Sequence, residues 1–319
     1  MSTHTVAILT SPQEANSKPT FSIRQLPVPV PGPNEVLIRL SLTGLCGSDY
    51  AMAVGHMGPV GTILGHEGVG RIAALGSNIE AHDPSVQIGQ RVGVAWTRDI
   101  CGSCNFCTDL VHEGETRCAQ ALHSGKAYVG TFAEYTLVPL RYLTRIPHEF
   151  DEIPDEEIAP VLCGGVTAYK AIKGCNLPPG QWIVVSGAGG GVGSLAVAFA
   201  NAMGYRVIAV DAGKNREASC REQGAEHFID VTQKDPGEQV QQITGGRGVK
   251  AVVVAATAAA AYQQAFEMLG TRMDILEALE FVKRRVVVPK IQWAELGDLE
   301  QLMDKMAKGQ LQGKYVVKL

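Results

Sequence analysis

The chain has 319 residues, 45% of them hydrophobic, which is enough for two domains and a large core. Its net charge is −4 and it has no long basic run, so a nucleic-acid partner is not expected. The longest nearly apolar run, 251–261, is too short to span a membrane, and the N-terminal residues lack the pattern of a secretory signal. Eight Cys without an export signal favour metal binding over disulfides. The same pattern predicts a cytoplasmic location.

The first part of the chain is predicted to be rich in β-strands. Glu35–Leu40 has the composition of a strand, and it follows four closely spaced prolines that favour an extended approach over a helix. Farther along, several glycines interrupt the chain before a His-Glu pair at 66–67. This pair is therefore expected on a loop or at the start of a helix.

Three well-separated residues form a candidate catalytic zinc site. Cys46 lies about twenty residues before His66, and Cys163 lies far after it. Two thiolates and one imidazole can bind one zinc ion and leave its fourth position open for substrate or water.

A second candidate metal site is more compact in sequence. Four cysteines with short spacings can surround one tetrahedral ion, and they are Cys101, Cys104, Cys107 and Cys118. Four unrelated buried thiols are the alternative, which this spacing disfavours. His112 and His123 lie nearby and are interpreted as surface imidazoles, because the thiolates already complete the site.

The middle of the chain has the pattern of a dinucleotide-binding unit. A short apolar strand, Trp182–Ser186, precedes a glycine-rich turn and a helical run from Ser194 to Met203. A backbone turn followed by a helix N-terminus can hold a pyrophosphate. The turn matches G-x-G-x-x-G except that alanine takes the first place, and its key residues are Ala188, Gly190, Gly191, Val192 and Gly193.

The next strand supports this interpretation. Arg206–Val210 ends in Asp211, at the distance expected for an acid that binds the ribose hydroxyls. A plain turn residue is the alternative. Because a carboxylate repels a 2′-phosphate, NAD is favoured over NADP.

The rest of this unit is shorter than expected. His227–Asp230 and Ala251–Ala255 are a third and a fourth strand, and Ala258–Leu269 is predicted to be a helix. A second helix-like run, Thr271–Arg285, follows through Gly270 alone. A doubly wound domain of this kind normally has six strands, and only four precede this junction. The chain ends in a strand-like tail at 311–317.

Together these motifs resemble the zinc-dependent medium-chain alcohol dehydrogenases, in particular the fungal and bacterial tetrameric type. The family's zinc signature is matched by Gly65, His66, Glu67, Gly70 and Gly76. The resemblance implies an α/β chain with a GroES-like β-rich catalytic domain at 1–164. A Rossmann cofactor domain at 165–270 would lack its last two strands, and 271–319 would return to the catalytic domain.

The same resemblance implies roles for individual residues. The catalytic zinc ligands would be Cys46, His66 and Cys163, with Glu67 able to replace one of them, and a second zinc would be held by the four clustered cysteines. Asp49 would orient the histidine ligand, and Ser48 would take the substrate proton. Trp96 would be an aromatic wall of the substrate pocket, Arg216 would lie near the adenosine ribose, and Lys314 near the pyrophosphate of NAD.

Several positions depart from the family pattern. Ala51 replaces a proton-relay histidine, and Ala53 replaces a bulky aromatic, which together predict a wide pocket. The strands absent after Gly270 correspond to those that hold the nicotinamide and pair subunits in the family. Hydride transfer and the association into a homo-oligomer are therefore expected to be weakened.

Three interpretations of function follow. The first is a zinc- and NAD-dependent enzyme that transfers a hydride between a small-molecule alcohol and its aldehyde or ketone. The second is a degenerate or non-redox member, such as a lyase, an isomerase or a non-catalytic binding protein. The third is an ordinary dehydrogenase from which one segment has been excised in frame.

Overall fold

A computed structural model describes residues 2–11, 18–109, 114–270, 282–285, 288–308, 310 and 314–318. The strands before residue 150 are β1 Thr3–Leu9, β2 Phe21–Pro27, β3 Glu35–Thr43, β4 Gly68–Leu75, β5 Arg91–Val94, β6 Thr97–Asp99, β7 Leu122–His123, β8 Tyr135–Pro139 and β9 Thr144–Arg145. The same part contains the α-helices α1 Gly47–Ala53 and α2 Ile79–His82 and the 3₁₀ turns Gly114–Arg117, Leu140–Tyr142 and His148–Phe150.

An antiparallel sheet with the strand order β8-β3-β4-β5-β9 forms the centre of this part. Alternate residues of β3 point to one face, where Val36 and Ile38 are fully buried. They pack with Ile72 of β4 and Val92 of β5 in one apolar cluster. β1 pairs with β2, and β6 pairs with β7, each as a short antiparallel ribbon. The predicted β-rich first part is therefore confirmed.

The middle part alternates helices and strands. Its elements are α3 Asp155–Ile158, α4 Gly164–Cys175, β10 Trp182–Ser186, α5 Gly191–Ala202, β11 Arg206–Asp211, α6 Glu217–Glu222, β12 Ala225–Asp230, α7 Pro236–Ile243, β13 Ala251–Val254 and α8 Ala259–Met268, with 3₁₀ turns at Ala159–Leu162 and Lys214–Arg216. The strands form a parallel sheet in the order β12-β11-β10-β13. Ile183, Val184 and Val185 of β10 are all fully buried, because helices cover both faces of a doubly wound sheet.

The end of α8 differs from the sequence-based expectation. A helix was predicted through Leu269, but α8 ends at Met268 and Leu269 has an extended backbone. Leu269 bridges in parallel to Val249, and the N–H of Gly270 donates to the Val249 carbonyl at 2.9 Å. Leu269 and Gly270 therefore lie alongside Val249 and do not continue α8, because this backbone pairing is available immediately after the helix.

The sheet has four named strands among the described residues, as predicted, and the predicted helix at 271–285 lies outside them except for 282–285. The last elements are β14 Ile291–Glu295, a 3₁₀ turn Leu296–Asp298, α9 Leu299–Ala307 and β15 Lys314–Lys318, and β14 pairs in parallel with β15. None of the helices in the described ranges has the length and apolar character needed to cross a bilayer.

Candidate functional site

The fold brings together the predicted catalytic ligands from three places in the chain. Cys46 precedes α1, His66 and Glu67 immediately precede β4, and Cys163 precedes α4. The sulfurs of Cys46 and Cys163 are 3.9 Å apart, and the Nε2 of His66 is 3.3 Å from the sulfur of Cys163. One donor atom from each of the four residues lies within 4.8 Å of the others. This donor set fits a zinc ion with one exchangeable position.

Asp49 stabilises this cluster through hydrogen bonds to two of the candidate ligands, Cys46 and His66. Its carboxylate is 2% exposed, and its Oδ1 accepts hydrogen bonds from the Nδ1 of His66 at 3.0 Å and the backbone N–H of Gly65 at 3.1 Å. Its Oδ2 accepts from the backbone N–H of Cys46 at 3.0 Å. With Nδ1 bonded to the carboxylate, the His66 ring directs Nε2 toward the cysteines.

The cluster also has unusual acid–base properties. Hydrogen bonds from Cys163 and then His66 lower the pKa of Cys46 to about 3, which favours the thiolate, the form that binds metals. Burial, followed by the charge of Cys46, raises the pKa of Glu67 to about 7. A side chain at Gly44 would overlap the Glu67 carboxylate, so glycine is needed there to admit the acid.

Two of the predicted substrate-side residues contact the same cluster. The side chain of Ser48 hydrogen-bonds to Cys46, and the Trp96 ring meets the His66 ring edge-to-face at 5.2 Å between centroids. Ala51 is half-buried. Ala53 is only 1% exposed and belongs to an apolar cluster with Met52 and other core residues. Neighbouring apolar side chains therefore close over Ala53.

The four clustered cysteines also converge. The sulfur of Cys101 lies 3.7 Å from that of Cys107 and 3.6 Å from that of Cys118, and the sulfurs of Cys104 and Cys107 are 3.5 Å apart. Four thiolates about 2.3 Å from a tetrahedral zinc would be separated by about 3.8 Å, so the donor set fits that ion. Backbone N–H groups of Ser103 and Cys104 lower the pKa of Cys101 to about 6. His112 lies outside the described residues.

The glycine-rich turn has the conformation of a phosphate-binding cradle. Gly187 has φ of +80°, and Gly193 of α5 packs so closely on the Gly187 carbonyl that a side chain would overlap it. The 12-residue helix α5 begins directly after Gly190, so its free N–H groups face the turn. Ala188 is fully buried in the core beneath the turn, while Gly191 and Val192 form the first turn of α5.

A cleft of about 380 Å³ opens beside this turn, lined by Gly187, Asp211, Arg216 and Thr257 among others. Asp211 is 7% exposed, accepts from the N–H of Gly189 at 2.7 Å, and pairs with Arg216 at 2.7 Å. The acid therefore ties the end of β11 to the turn. The donor groups and the acid fit a dinucleotide. Lys314 is not among the residues lining this cleft; it lies in β15, opposite Ile291.

One residue near the site was misassigned from the sequence. His123 was interpreted as a surface imidazole, but it is half-buried and stacks on Trp96 with centroids 4.7 Å apart and an angle of 18° between the rings. The interpretation is wrong because the β6–β7 ribbon brings two sequence-distant rings face to face. Nothing in the local sequence around His123 indicates this contact.

Comparison with known proteins identifies the two parts of the chain. Residues 32–148 match the alcohol dehydrogenase GroES-like domain, and residues 191–275 match the zinc-binding dehydrogenase domain. Alcohol dehydrogenase 2 of Emericella nidulans is 35% identical, over 92% of this chain and 93% of the relative. The alcohol dehydrogenase of Rhizobium meliloti is 34% identical, over 93% of this chain and 95% of the relative.

The alignment with the Emericella relative spans 349 positions, more than the 319 residues of this chain, so it contains gaps in this chain. Among solved structures, acetophenone reductase from Geotrichum candidum in complex with NAD is similar, with a TM-score of 0.66 and 22% identity over 99% of this chain and 97% of that one. A likeness at this identity establishes the fold.

Proposed function

Because this chain belongs to the zinc-type medium-chain alcohol dehydrogenase family, we propose that it oxidises an alcohol to the matching carbonyl with NAD at the cluster of Cys46, His66 and Cys163. It is an oxidoreductase of the same type as these relatives. The observation that carries the proposal is the convergence of the four predicted donor groups within 4.8 Å, next to an aromatic wall.

Each residue has a distinct task in this proposal. Cys46, His66 and Cys163 would hold zinc, Glu67 would be a ligand that can exchange in, and Asp49 would fix the orientation of His66 through the hydrogen bond to Nδ1. A zinc ion held there would make the alcohol oxygen more acidic, and NAD bound along the glycine turn would supply the hydride acceptor. The Oγ of Ser48 would accept the alcohol proton while the hydroxyl releases its own proton, so the serine stays neutral. Ala51 offers no titratable group, so the proton released by Ser48 would pass to solvent.

The cofactor would lie along the glycine turn. The N–H groups at the start of α5, including those of Gly191 and Val192, would hold the pyrophosphate. Asp211 would bind the ribose hydroxyls, with Arg216 beside it. Lys314 lies in β15 and does not line the cleft. Its predicted contact with the pyrophosphate would therefore require β15 to lie closer to the glycine-rich turn.

We infer that the substrate is an alcohol larger than ethanol, or its aldehyde or ketone. Small residues at 51 and 53 leave more room than the bulky ones common in the family, although the burial of Ala53 limits its share of that room. A substrate series tests this inference: a clear preference for ethanol over benzyl alcohol would contradict it.

We also propose the domain division 1–164, 165–270 and 271–319. The antiparallel sheet lies before residue 146, the parallel sheet lies within 182–254, and the β14–β15 pair lies within 291–318, which supports these limits. A homo-oligomer weakened by the absent strands, and a cytoplasmic location, remain predictions.

The alternative functions gain no support. The relatives compared above are alcohol dehydrogenases, and the donor atoms of both metal clusters are in place. A lyase, isomerase or non-catalytic role rested on the shortened cofactor domain alone.

The test is alcohol-dependent formation of NADH by the zinc-loaded chain, compared with Cys46→Ser and with Cys175→Ser as a matched control. Cys175 lies in α4 outside both metal clusters. We expect turnover in the parent and the control, and none in Cys46→Ser. Equal rates in all three would show that the reaction does not use this cluster.

A further inference from the structure

Trp96 is held between two imidazole rings. His66 meets it edge-to-face at 5.2 Å, and His123 stacks on it almost in parallel at 4.7 Å. A ring that stacks on one aromatic neighbour and meets a second one edge-to-face can rotate little without losing one of the two contacts. The indole orientation at the candidate active site therefore depends on a residue outside the zinc cluster.

The backbone fixes the positions of both stacked residues. Thr97 of β6 lies opposite His123 of β7, and the N–H of Ser124 donates to the Trp96 carbonyl at 2.9 Å. The hydroxyl of Ser124 donates to the carbonyl of Ala95 at 2.7 Å.

A buried arginine anchors the same ribbon. Arg98 is 1% exposed and donates from Nη1 to the hydroxyl of Ser124 at 3.1 Å and from Nη2 to that of Thr136 at 3.2 Å. The guanidinium thus joins the β6–β7 ribbon to β8 of the large sheet. The indole of Trp96 also packs against the apolar cluster that contains Met52 and Ala53. With the backbone held on both sides, the stack on His123 adds a second constraint on where the indole points.

The His123 ring is suited to stacking. Its Nδ1 is buried and makes no hydrogen bond within the described part of the chain. Burial, and then the charge of Lys126, lower the pKa of His123, so the ring is neutral at neutral pH. Lys126 itself donates to the carbonyl of Met57 at 2.7 Å. Aromatic contact with Trp96, and not a hydrogen bond from Nδ1, is therefore what holds this ring.

We propose that His123 is a positioning residue that sets the Trp96 ring as a wall of the substrate pocket and thereby determines the preference for bulky over small alcohols. This inference rests on the proposed function. An alcohol large enough to reach the indole gains from a fixed wall, whereas ethanol is too small to use it. His123 itself touches neither substrate nor metal in this proposal.

The test compares His123→Ala with His123→Phe, which retains an aromatic ring but has no ring nitrogen, and with His148→Ala as a matched control. His148 is exposed and hydrogen-bonds to Asp151 on the surface. All variants are loaded with zinc, and kcat and KM are measured for benzyl alcohol and ethanol. We expect His123→Ala to lower kcat/KM for benzyl alcohol by about threefold to tenfold, the range expected for one aromatic pair, with ethanol changed by less than about twofold. His123→Phe should retain the parent's ratio of kcat/KM for benzyl alcohol to kcat/KM for ethanol.

A second measurement does not depend on activity. The chain has three tryptophans, so Trp182→Phe and Trp293→Phe together leave Trp96 as the only indole. In this background His123→Ala should increase quenching of Trp96 fluorescence by acrylamide, and His123→Phe should not.

The outcomes separate the two levels of the proposal. If quenching by acrylamide is the same in all variants, His123 does not position the indole. If quenching changes but the benzyl alcohol to ethanol ratio does not, the role in specificity is overturned. If the parent chain oxidises no alcohol while the fluorescence change occurs, the proposed function fails and the positioning contact stands.

Discussion

Asp49 has the widest influence of any single residue at the candidate active site, because one carboxylate accepts from His66, Gly65 and Cys46. We expect Asp49→Asn to lower zinc affinity at this site by about 10- to 100-fold, since an amide cannot accept all three hydrogen bonds or stabilise the imidazole in the same way. Competition with a coloured chelator measures the affinity. Asp304→Asn, at an exposed ion pair in α9, is the control and should retain the parent value. An unchanged affinity in Asp49→Asn would contradict the assigned role.

At the same scale, we predict that Asp211 selects NAD over NADP. The parent should bind NAD more tightly than NADP, and Asp211→Asn should reduce that preference by about tenfold or more. A hydrogen bond to a charged group is worth about 1.5–3 kcal/mol, and the lost charge also frees Arg216 for a 2′-phosphate. Titration of both cofactors by quenching of tryptophan fluorescence measures the two affinities. Tighter binding of NADP by the parent chain would show that Asp211 does not select the cofactor.

At the scale of elements, we predict that the order of the segment between β6 and β7 depends on its metal cluster. Within its described residues, regular structure is limited to the 3₁₀ turn Gly114–Arg117, so we expect bound zinc to stabilise it. We expect Cys104→Ser to lower the zinc content from about two ions per chain to about one and to lower the Tm, because metal-binding free energy contributes to folding. Cys175→Ser should retain both ions. Elemental analysis and thermal unfolding are the measurements, and a metal content near zero in the parent would refute both sites.

At the scale of the whole molecule, we predict that the parallel sheet limits catalysis, because it has only four strands among the described residues. The cleft beside the glycine turn is lined by the ends of β10 and β11 and by residues that follow β12 and β13. By the family resemblance, the strands that would hold the nicotinamide lie beyond β13, which is an edge strand among the described residues. A cofactor held mainly at one end leaves its reactive carbon loosely placed, and a displacement of about 1 Å can cost on the order of a hundredfold in rate. We therefore expect slow alcohol turnover with cofactor binding retained.

The experiment is an insertion of two family-like strands after Gly270. At this point the backbone already pairs with Val249, which lies just before β13 in the chain. The insertion should raise alcohol-dependent NADH formation by about a hundredfold and change NAD affinity much less. A glycine-serine insertion of equal length is the control, because it adds chain without strand-forming residues. If the original chain is as fast as the restored one, the four-stranded sheet is sufficient for hydride transfer.

The sequence by itself determined the features that depend on local order along the chain. The spacing of the four cysteines at 101–118, the strand–turn–helix around Gly190 and the acid at the end of β11 were all predicted, because short spacings and strand ends dictate which groups can meet. The shared signature residues also identified the family and predicted the catalytic donors, whose atoms lie within 4.8 Å of one another in the structure. The four-strand count was predicted from the apolar runs alone.

Tertiary structure decided the contacts between distant parts of the chain. Cys46 and Cys163 are 117 positions apart, so only the fold shows that their sulfurs lie 3.9 Å from each other. The stack of His123 on Trp96 and the extended backbone at Leu269 were likewise missed. Each depends on which strands become neighbours, and side-chain packing and backbone pairing between strands leave no periodic pattern in the sequence of either partner.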